Sequence, residues 1–509
     1  MMTIEKNKIN STTFKKIKFI SSKCGSGKGI YMRDEIKKQL ETDNNHHIIV
    51  MPTKKLIEQF KGYFSDFYDN VIAVVSSDEK DFKKYDKLLP RINSVIYSKS
   101  SNILMVTEKM FYRIDPLILR DWNVWIDDCN KFCDLKIKGI RKDDKKELLS
   151  IYNKLFITSD SFVEISSIKN DPVNFKYKSV KINDKIELSE DIESLLKLYQ
   201  EMSFYHQVVV LYDSLIGKAG QLVIAGWYDL SKYVDEGISI TYMSNEFESS
   251  LLYKRWSYLF EEVKIEVKYS DKIQTNDNRI DVKYFFDCTK KDRGLSKGMM
   301  CNGKLDSNVR LVMEYLKNEL KNIDYYWTTN DKSLFTLGGN KITPNQRGMN
   351  HLMDKTVSVF MAAMNAHPNS AEYLRDLFNF TTQDIVEEYE FETMYQFIYR
   401  SVVRDYSSSE RVIVYVFDSE QAYAIPSGSV QKIDLGLSSN KKKTGSKEKI
   451  DAPLALKNNF KTWKSRNNNR ADTFIRFNKW VEKVLRSTIE WREEDFYQLR
   501  KTLSVEKKL

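Results

Sequence analysis

The stretch that most constrains the fold is a short apolar run that ends in a glycine-rich turn. Residues 17–30 read IKFISSKCGSGKGI, and a segment with a helical pattern continues to Leu40. A strand, a glycine-rich loop, a lysine and a helix in this order are typical of a P-loop, in which backbone N–H groups and the helix start surround a phosphate. The pattern predicts an α/β domain that binds a nucleotide.

The turn supplies the candidate phosphate-binding residues. They are Gly25, Ser26, Gly27, Lys28 and Gly29. Lys28 is predicted to reach the terminal phosphates and to act in catalysis, whereas Gly29 stands where a P-loop usually carries the Ser or Thr hydroxyl that binds Mg²⁺. The alternative interpretation is a flexible glycine loop beside an unrelated lysine.

Further apolar runs alternate with helical patterns, which favours a parallel sheet covered on both faces. Strands are predicted at Ile48–Met51 and Ile103–Val106, and another run, 122–126, ends in Asp127 and Asp128. An acid at the carboxyl end of a strand beside a P-loop can hold Mg²⁺, and a second acid can orient the attacking water. We assign the metal to Asp127 and the water to Asp128; the alternative is a solvated acidic turn.

Composition narrows the class of protein. The net charge of +10 and the aromatic content of 13% permit a polyanionic partner, but 71 acidic residues offset the 81 basic ones. The five cysteines form no CxxC pair, so neither a zinc site nor a disulfide framework is expected. No apolar run is long enough for a membrane span and no signal peptide is visible, so we expect a cytoplasmic protein (host cytoplasm if viral) without a membrane partner.

The order of the motifs is more specific than any one of them. The P-loop is followed by PTKKLIEQ (52–59), VTEKM (106–110) and the acids at 127–128, and QFIYRSVVR (396–404) follows in the second half. This succession resembles superfamily 2 helicases of the DEAD/DEAH-like kind, and is closest to divergent viral or phage members. Residues 241–245 fall where that family carries its Ser-Ala-Thr motif.

The resemblance implies a fold class and a division of the chain. The class is α/β, with two RecA-like parallel-sheet domains, an inserted accessory region and a small C-terminal helical region. The predicted boundaries are 1–255 for the first domain with an insertion at about 138–236, 256–435 for the second domain, 436–449 for a basic linker and 450–509 for the C-terminal region. Within these, Asp191–Ile216 and Phe391–Arg404 are predicted to be helices.

The resemblance also implies ATP and Mg²⁺ as cofactors, and a catalytic trio in the second domain. Arg404 is the predicted arginine finger, Arg400 its partner, and Gln396 the residue that positions them or the water. This sequence departs from the family pattern, because Asp128 replaces a glutamate and Arg404 lies one residue farther from Gln396 than is usual. The alternative is that the arginines line a solvated helix face.

The implied partner is single- or double-stranded nucleic acid, with DNA favoured over RNA. The candidate strand-binding residues are Thr53, Lys54, Thr107, Thr328, Thr329, Arg347 and Asn350. The basic, aromatic C-terminal region is a candidate contact for nucleic acid or for a replication partner, or else a helical pack. The leading hypothesis is an ATP-dependent helicase or translocase in phage, viral or plasmid replication. The alternatives are a catalytically impaired, helicase-like nucleic-acid-binding protein and a packaging-type ATPase.

Overall fold

The computed structural model describes most of the chain up to residue 437. The described residues are 16–42, 45–65, 71–73, 82–139, 150, 152–153, 156–162, 177–182, 201–211, 221–266, 269, 272, 276–288, 297, 306–344 and 352–437. The C-terminal region 450–509 and nearly all of the predicted linker therefore lie outside them. Among these residues, no helix is long and apolar enough to cross a membrane.

The first part of the chain alternates strands with helices. Strands β1 to β5 are Ile17–Ser21, His46–Met51, Val71–Ala73, Ile103–Thr107 and Trp122–Asp127. Helices α1 to α4 follow the first four of them and are Lys28–Thr42, Lys54–Ser65, Phe82–Ser98 and Glu108–Phe111. Strands β2 and β4 are buried along nearly their whole length and, apart from the two histidines that begin β2, are mostly apolar, as expected of strands with helices on both faces.

An antiparallel sheet interrupts this pattern. Strands β6 to β10 are Cys133–Gly139, Phe156–Phe162, Tyr177–Ile182, Gln207–Leu211 and Gln221–Trp227, and they pair in the order β6-β10-β9-β8-β7. This sheet lies in the stretch predicted as an accessory insertion. The prediction of a helix over Asp191–Ile216 is wrong for β9, whose consecutive valines form a buried strand.

The chain then returns to the first sheet. Helix α5 (Ser231–Asp235), strand β11 (Ser239–Ser244), helix α6 (Leu251–Trp256) and strand β12 (Phe260–Glu262) complete it. The strand order is β12-β1-β11-β5-β2-β4-β3, and every pair is parallel. Since β11 lies between β1 and β5, the carboxyl ends of these three strands lie side by side. Strand β1 leads into the P-loop, β11 leads into residues 244–245, and β5 ends at Asp127.

A second parallel sheet follows. Strands β13 to β18 are Ile280–Phe286, Tyr325–Thr329, Asn340–Lys341, Val357–Met361, Val412–Asp418 and Ser429–Lys432, in the order β15-β14-β16-β17-β13-β18. Helices α7 to α11 are Ser307–Glu319, Pro368–Phe378, Thr382–Val386, Glu392–Ile398 and Ser419–Ala424. The predicted fold class is thus confirmed as α/β with two parallel-sheet domains of RecA type.

The helix predicted over Phe391–Arg404 is shorter than expected. A π-helical turn, Glu387–Phe391, leads into α10, which ends at Ile398. The carbonyls of Phe397 and Ile398 accept from the N–H groups of Arg400 and Ser401 at 3.2 and 3.1 Å, so the helix closes in i to i+3 bonds, and the Tyr326 hydroxyl lies 2.9 and 3.2 Å from the same two carbonyls. The prediction is therefore wrong beyond Ile398, and Arg404 lies on a separate 3₁₀ turn.

His47 on β2 gives the fold a pH dependence that can be measured. Its ring is fully buried, and burial, followed by the charge of His46, lowers its pKa from 6.5 to about 4. The unfolded chain therefore binds a proton that the folded chain does not, and stability falls as the pH decreases through 6.5 towards 4. Between pH 7.5 and 5, we expect His47 to cost about 2 kcal/mol of unfolding free energy.

The measurement is urea unfolding at both pH values for the wild type and for His47→Gln. Trp125 Nε1 donates to His47 Nδ1 at 3.4 Å, and a glutamine oxygen can accept the same bond. The variant should lose less stability on acidification, whatever its stability at pH 7.5. Equal losses in the two proteins would show that His47 does not cause the effect.

Candidate active site

The loop between β1 and α1 has the backbone shape of a phosphate cradle. Gly25 and Gly27 have φ values of +79° and +104°, in the left-handed region that favours glycine. Ser26 is completely buried, and the Ser22 hydroxyl donates to its Oγ at 2.7 Å. The helix begins at Lys28, so the positive end of α1 faces the loop.

Lys28 is held inside this loop. Its side chain is only 7% exposed, and its ammonium group donates to the carbonyl of Ser22 and, at 3.1 Å, to that of Lys23. These acceptors are neutral, so they satisfy the hydrogen bonds of the lysine without cancelling its charge. An anion entering the loop would therefore meet a positive charge already positioned by the backbone.

The two acids after β5 differ in backbone and exposure. Asp127 ends the strand and is 9% exposed, whereas Asp128 is half-buried with φ of +50°, an uncommon value for a residue other than glycine. The Asp128 N–H donates to the Met243 carbonyl on β11 at 2.9 Å, which fixes this turn beside the neighbouring strand. Such local strain is often found at functional sites.

The end of β11 joins the P-loop to the acidic turn and to the second domain. The N–H of Ser22 donates to the Ser244 carbonyl at 3.0 Å, and Asn130 Nδ2 donates to Ser244 Oγ at 2.8 Å. Asn245 Nδ2 donates to Glu392 on α10 at 2.8 Å. Residues 244–245 thus lie where a coupling motif is expected.

Helix α10 continues this hydrogen-bonded chain towards the arginines. Gln396 Nε2 donates to Glu392 at 2.9 Å, and Arg400 Nη2 donates to Gln396 Oε1 at 3.4 Å. Arg400 is 5% exposed, which excludes the alternative of a solvated helix face for this residue. Burial, and then the neighbouring guanidinium of Arg404, lower the pKa of Arg400. A phosphate near the two guanidiniums would relieve this repulsion.

One cleft of about 460 Å³ brings the predicted residues together. Its lining includes Gly25, Gly27, Lys28, Gly29, Asp127, Asp128, Gln396, Arg400 and Arg404. Of the predicted nucleotide-site residues, only Ser26 is absent from the lining, because it is buried beneath the loop. Two widely separated parts of the sequence thus face the same volume, and the glycine cradle, Lys28 and Asp127 fit a nucleotide triphosphate with its Mg²⁺.

The contacts that join the P-loop to the second domain could not be predicted from the sequence. The Tyr406 hydroxyl donates to the Cys24 carbonyl at 3.2 Å, and the Tyr406 ring stacks on Tyr269 with centroids 4.7 Å apart. Lys23 pairs with Asp277, which also accepts a hydrogen bond from Tyr399. A local pattern cannot reveal these partners, because each lies more than two hundred residues from the P-loop.

Cys24 itself points into the core of the second domain. It is 6% exposed and belongs to the apolar cluster that includes Tyr395 and Tyr399. Burial raises the pKa of its thiol to about 12, although the charge of Lys28 opposes the shift. The thiol is therefore neutral near pH 7 and serves in packing rather than as a nucleophile.

Of the residues predicted to bind a nucleic-acid strand, the structure brings only those of the first domain close to one another. Thr107 is opposite Met51 in the register of β4 and β2, so it and the Thr53–Lys54 pair follow the carboxyl ends of neighbouring strands. The Thr53 hydroxyl also accepts a hydrogen bond from the Leu56 N–H at 3.2 Å, as a helix cap does. Thr328 and Thr329 are buried in β14, and Arg347 and Asn350 lie outside the described residues.

The acids that a packaging nuclease would need do not converge. Asp281 pairs with Arg411, Asp287 with Lys432, and Asp354 with Lys355. Each carboxylate therefore faces a different base at a separate place. Among the described residues, these three acids form no common metal site.

Comparison with known proteins agrees with this picture of the first domain. Residues 3–185 match the family described as "Type III restriction enzyme, res subunit". The predicted resemblance to superfamily 2 helicases is thereby confirmed, and the match lies in the part of the chain that carries the P-loop and Asp127. No curated protein matches the sequence.

Solved structures of helicases are also similar to the chain. An XPD helicase has 12% identity and a TM-score of 0.38, with 83% of this chain and 92% of that chain covered. The DEAD-box helicase Mss116 bound to ssRNA and UDP-BeF has 12% identity and a TM-score of 0.34, with 88% and 77% covered. The DUF1998 helicase MrfA bound to DNA and AMPPNP has 10% identity and a TM-score of 0.31, with 80% and 46% covered.

Proposed function

We propose that this protein is an ATP-dependent helicase or translocase that acts on DNA. The observation that carries the proposal is the cleft in which Lys28 and Asp127 of the first domain face Gln396, Arg400 and Arg404 of the second. A phosphate chain bound there would touch both domains, so hydrolysis would change how they are held together. If both domains hold one nucleic-acid strand, that change becomes a step along it.

Each residue has a defined role in this proposal. Lys28 and the loop N–H groups bind the phosphates, and Asp127 holds Mg²⁺, which neutralises charge on the phosphates when it is bound. Asp128 orients the attacking water. Arg404 and Arg400 stabilise charge on the transferring phosphoryl group, and Gln396 positions them.

The strand-binding surface is proposed at Thr53, Lys54 and Thr107 in the first domain and at Arg347 and Asn350 in the second. Contacts from such residues go mainly to phosphates, so binding should depend on salt and tolerate any sequence. DNA as substrate, a role in phage, viral or plasmid replication, and a replication partner at residues 450–509 are part of the proposal.

One observation favours a second candidate, a nucleic-acid-binding protein with impaired catalysis. Gly29 offers no hydroxyl to a metal ion, and the Phe60 ring lies directly over it, 2.9 Å from the position of an added Cβ. A site that holds Mg²⁺ poorly would bind nucleotide without fast turnover.

The test is steady-state ATP hydrolysis by the full chain, alone and with single-stranded DNA or single-stranded RNA of equal length. The proposal expects turnover that rises with DNA by about tenfold or more, less with RNA, and that falls steeply with salt. Salt-dependent DNA binding without hydrolysis would instead support the second candidate. Equal stimulation by RNA would remove the preference for DNA.

A further inference from the structure

The contact between Gly29 and Phe60 lies at the metal side of the proposed nucleotide site. A Cβ placed on Gly29 would be 2.9 Å from Phe60 Cζ, and 3.6 and 3.9 Å from its two Cε atoms. Real Cβ atoms almost never approach a heavy atom as closely as the first of these distances. The tip of the ring therefore occupies the space that any side chain at position 29 would need.

Phe60 is anchored where it can maintain this contact. It lies on α2, half-buried, and packs against the apolar cluster that contains Met32 and Ile57. The Tyr63 ring meets it edge-on, with centroids 5.6 Å apart and planes at 84°. The base of the side chain is fixed by the helix, while its tip faces the cleft that Asp127 and Lys28 also line.

The chemistry of this arrangement differs from that of a P-loop with a hydroxyl after its lysine. A phenyl ring cannot ligate Mg²⁺, which prefers oxygen ligands and keeps part of its water shell. At this position the chain thus replaces an oxygen ligand by an apolar group, and Asp127 is left as the proposed protein ligand. The loop N–H groups and Lys28 do not depend on the metal for their attraction to phosphate.

We propose that Phe60 is a positioning residue that sets how strongly nucleotide binding depends on Mg²⁺. By covering Gly29, the ring keeps the metal side of the site apolar, so affinity comes mainly from Lys28 and the loop. This inference rests on the proposed function, because it assumes that the cleft binds a nucleotide. It predicts that Gly29 and Phe60 act as a pair, so that changing both has a larger effect than changing either.

The pair can be varied without destroying the loop. The atom nearest to the added Cβ is the far end of a side chain that can rotate, so Gly29→Ser should displace the ring rather than the backbone. Gly29 does not have a positive φ, so serine is compatible with its backbone. Phe60→Ala removes the ring, and the double variant adds a hydroxyl to the vacated space.

The experiment measures the affinity of the full chain for fluorescent ADP with Mg²⁺ and with EDTA. Its readout is the ratio of the two dissociation constants, which does not require turnover. We expect a ratio below about threefold for the wild type, about tenfold for Phe60→Ala, and about thirtyfold or more for Gly29→Ser/Phe60→Ala. The control is Tyr258→Ala, which removes an exposed aromatic ring that does not line the cleft, and its ratio should equal that of the wild type.

Two results would overturn the inference alone. The first is tight ADP binding with the same Mg²⁺ ratio in all four proteins. The second is a loss of affinity in Phe60→Ala both with and without Mg²⁺, since the ring would then support the nucleotide itself. If no protein binds ADP under either condition, the proposed function fails and the inference fails with it.

Discussion

Replacing Lys28 by alanine should reduce ATP hydrolysis by about a hundred- to a thousandfold. The lysine is the buried cation of the P-loop, and its ammonium group is already held between the carbonyls of Ser22 and Lys23. Because those partners are neutral and the other lysine of the loop, Lys23, is paired with Asp277, the removal of Lys28 deletes a positioned charge that the loop does not replace. Nucleotide affinity should fall as well, since the charge acts on bound phosphates and on the transition state.

The matched control is Lys38→Ala, which removes an exposed lysine from the same helix. Turnover with single-stranded DNA, ADP affinity and thermal unfolding are measured for both variants. Lys38→Ala should behave like the wild type in all three. A Lys28→Ala protein that unfolds normally and still hydrolyses ATP at the wild-type rate would show that this cleft is not the ATPase site.

The parts of the site that sequence reasoning could predict are those held by local geometry. Gly25 and Gly27 adopt backbone angles that favour glycine, and Asp127 stands at the end of a buried strand. Each of these features can therefore be recognised from a few neighbouring residues of the sequence. The alternation of apolar strands with helices predicted two parallel sheets for the same reason. Convergence of Lys28 with Arg404 could be expected only through the resemblance to a family.

The parts that could not be predicted depend on tertiary contacts. Helix α10 ends at Ile398, where the hydroxyl of Tyr326, more than seventy residues earlier, lies within hydrogen-bond distance of its last carbonyls. The sequence of strand β9 continues a helical pattern, and the segment forms a strand because it pairs with β8 and β10 in the inserted sheet. The covering of Gly29 by Phe60 likewise joins two helices, and neither helix shows the contact in its own sequence.

Burial also decides between residues that look alike in sequence. Thr53 and Thr328 both stand at or near the end of an apolar strand, and both are candidates for binding a strand of nucleic acid. The structure leaves Thr53 half-buried at the start of α2, whereas Thr328 is completely enclosed. Strand polarity alone could not separate them, because β14 is covered on both of its faces.

Among substitutions in the second domain, Arg404→Ala should have the largest effect. We expect it to reduce the maximal rate of ATP hydrolysis by about a thousandfold. Arg404 lies on the 3₁₀ turn Val402–Arg404, and its Cγ is 3.6 Å from the position of an added Cβ on Gly25, so its side chain reaches the P-loop. A guanidinium at this place can stabilise charge that develops during phosphoryl transfer. Affinity for ADP should change by less than about threefold, because the transferring group is absent from ADP.

Arg404 is a cleaner test of this role than Arg400. Arg400 is buried and bonded to Gln396, so its removal would also disturb the packing of α10, whereas Arg404 is only half-buried. Arg404→Lys should recover part of the rate, since an ammonium group keeps the charge but not the planar fork. Arg375→Ala, which removes an exposed arginine from α8, is the matched control and should leave the rate unchanged.

If Arg404→Ala weakened ADP binding as much as it slowed turnover, Arg404 would be a ground-state phosphate ligand. The catalytic role of the second domain would then have to rest on Arg400 and Gln396.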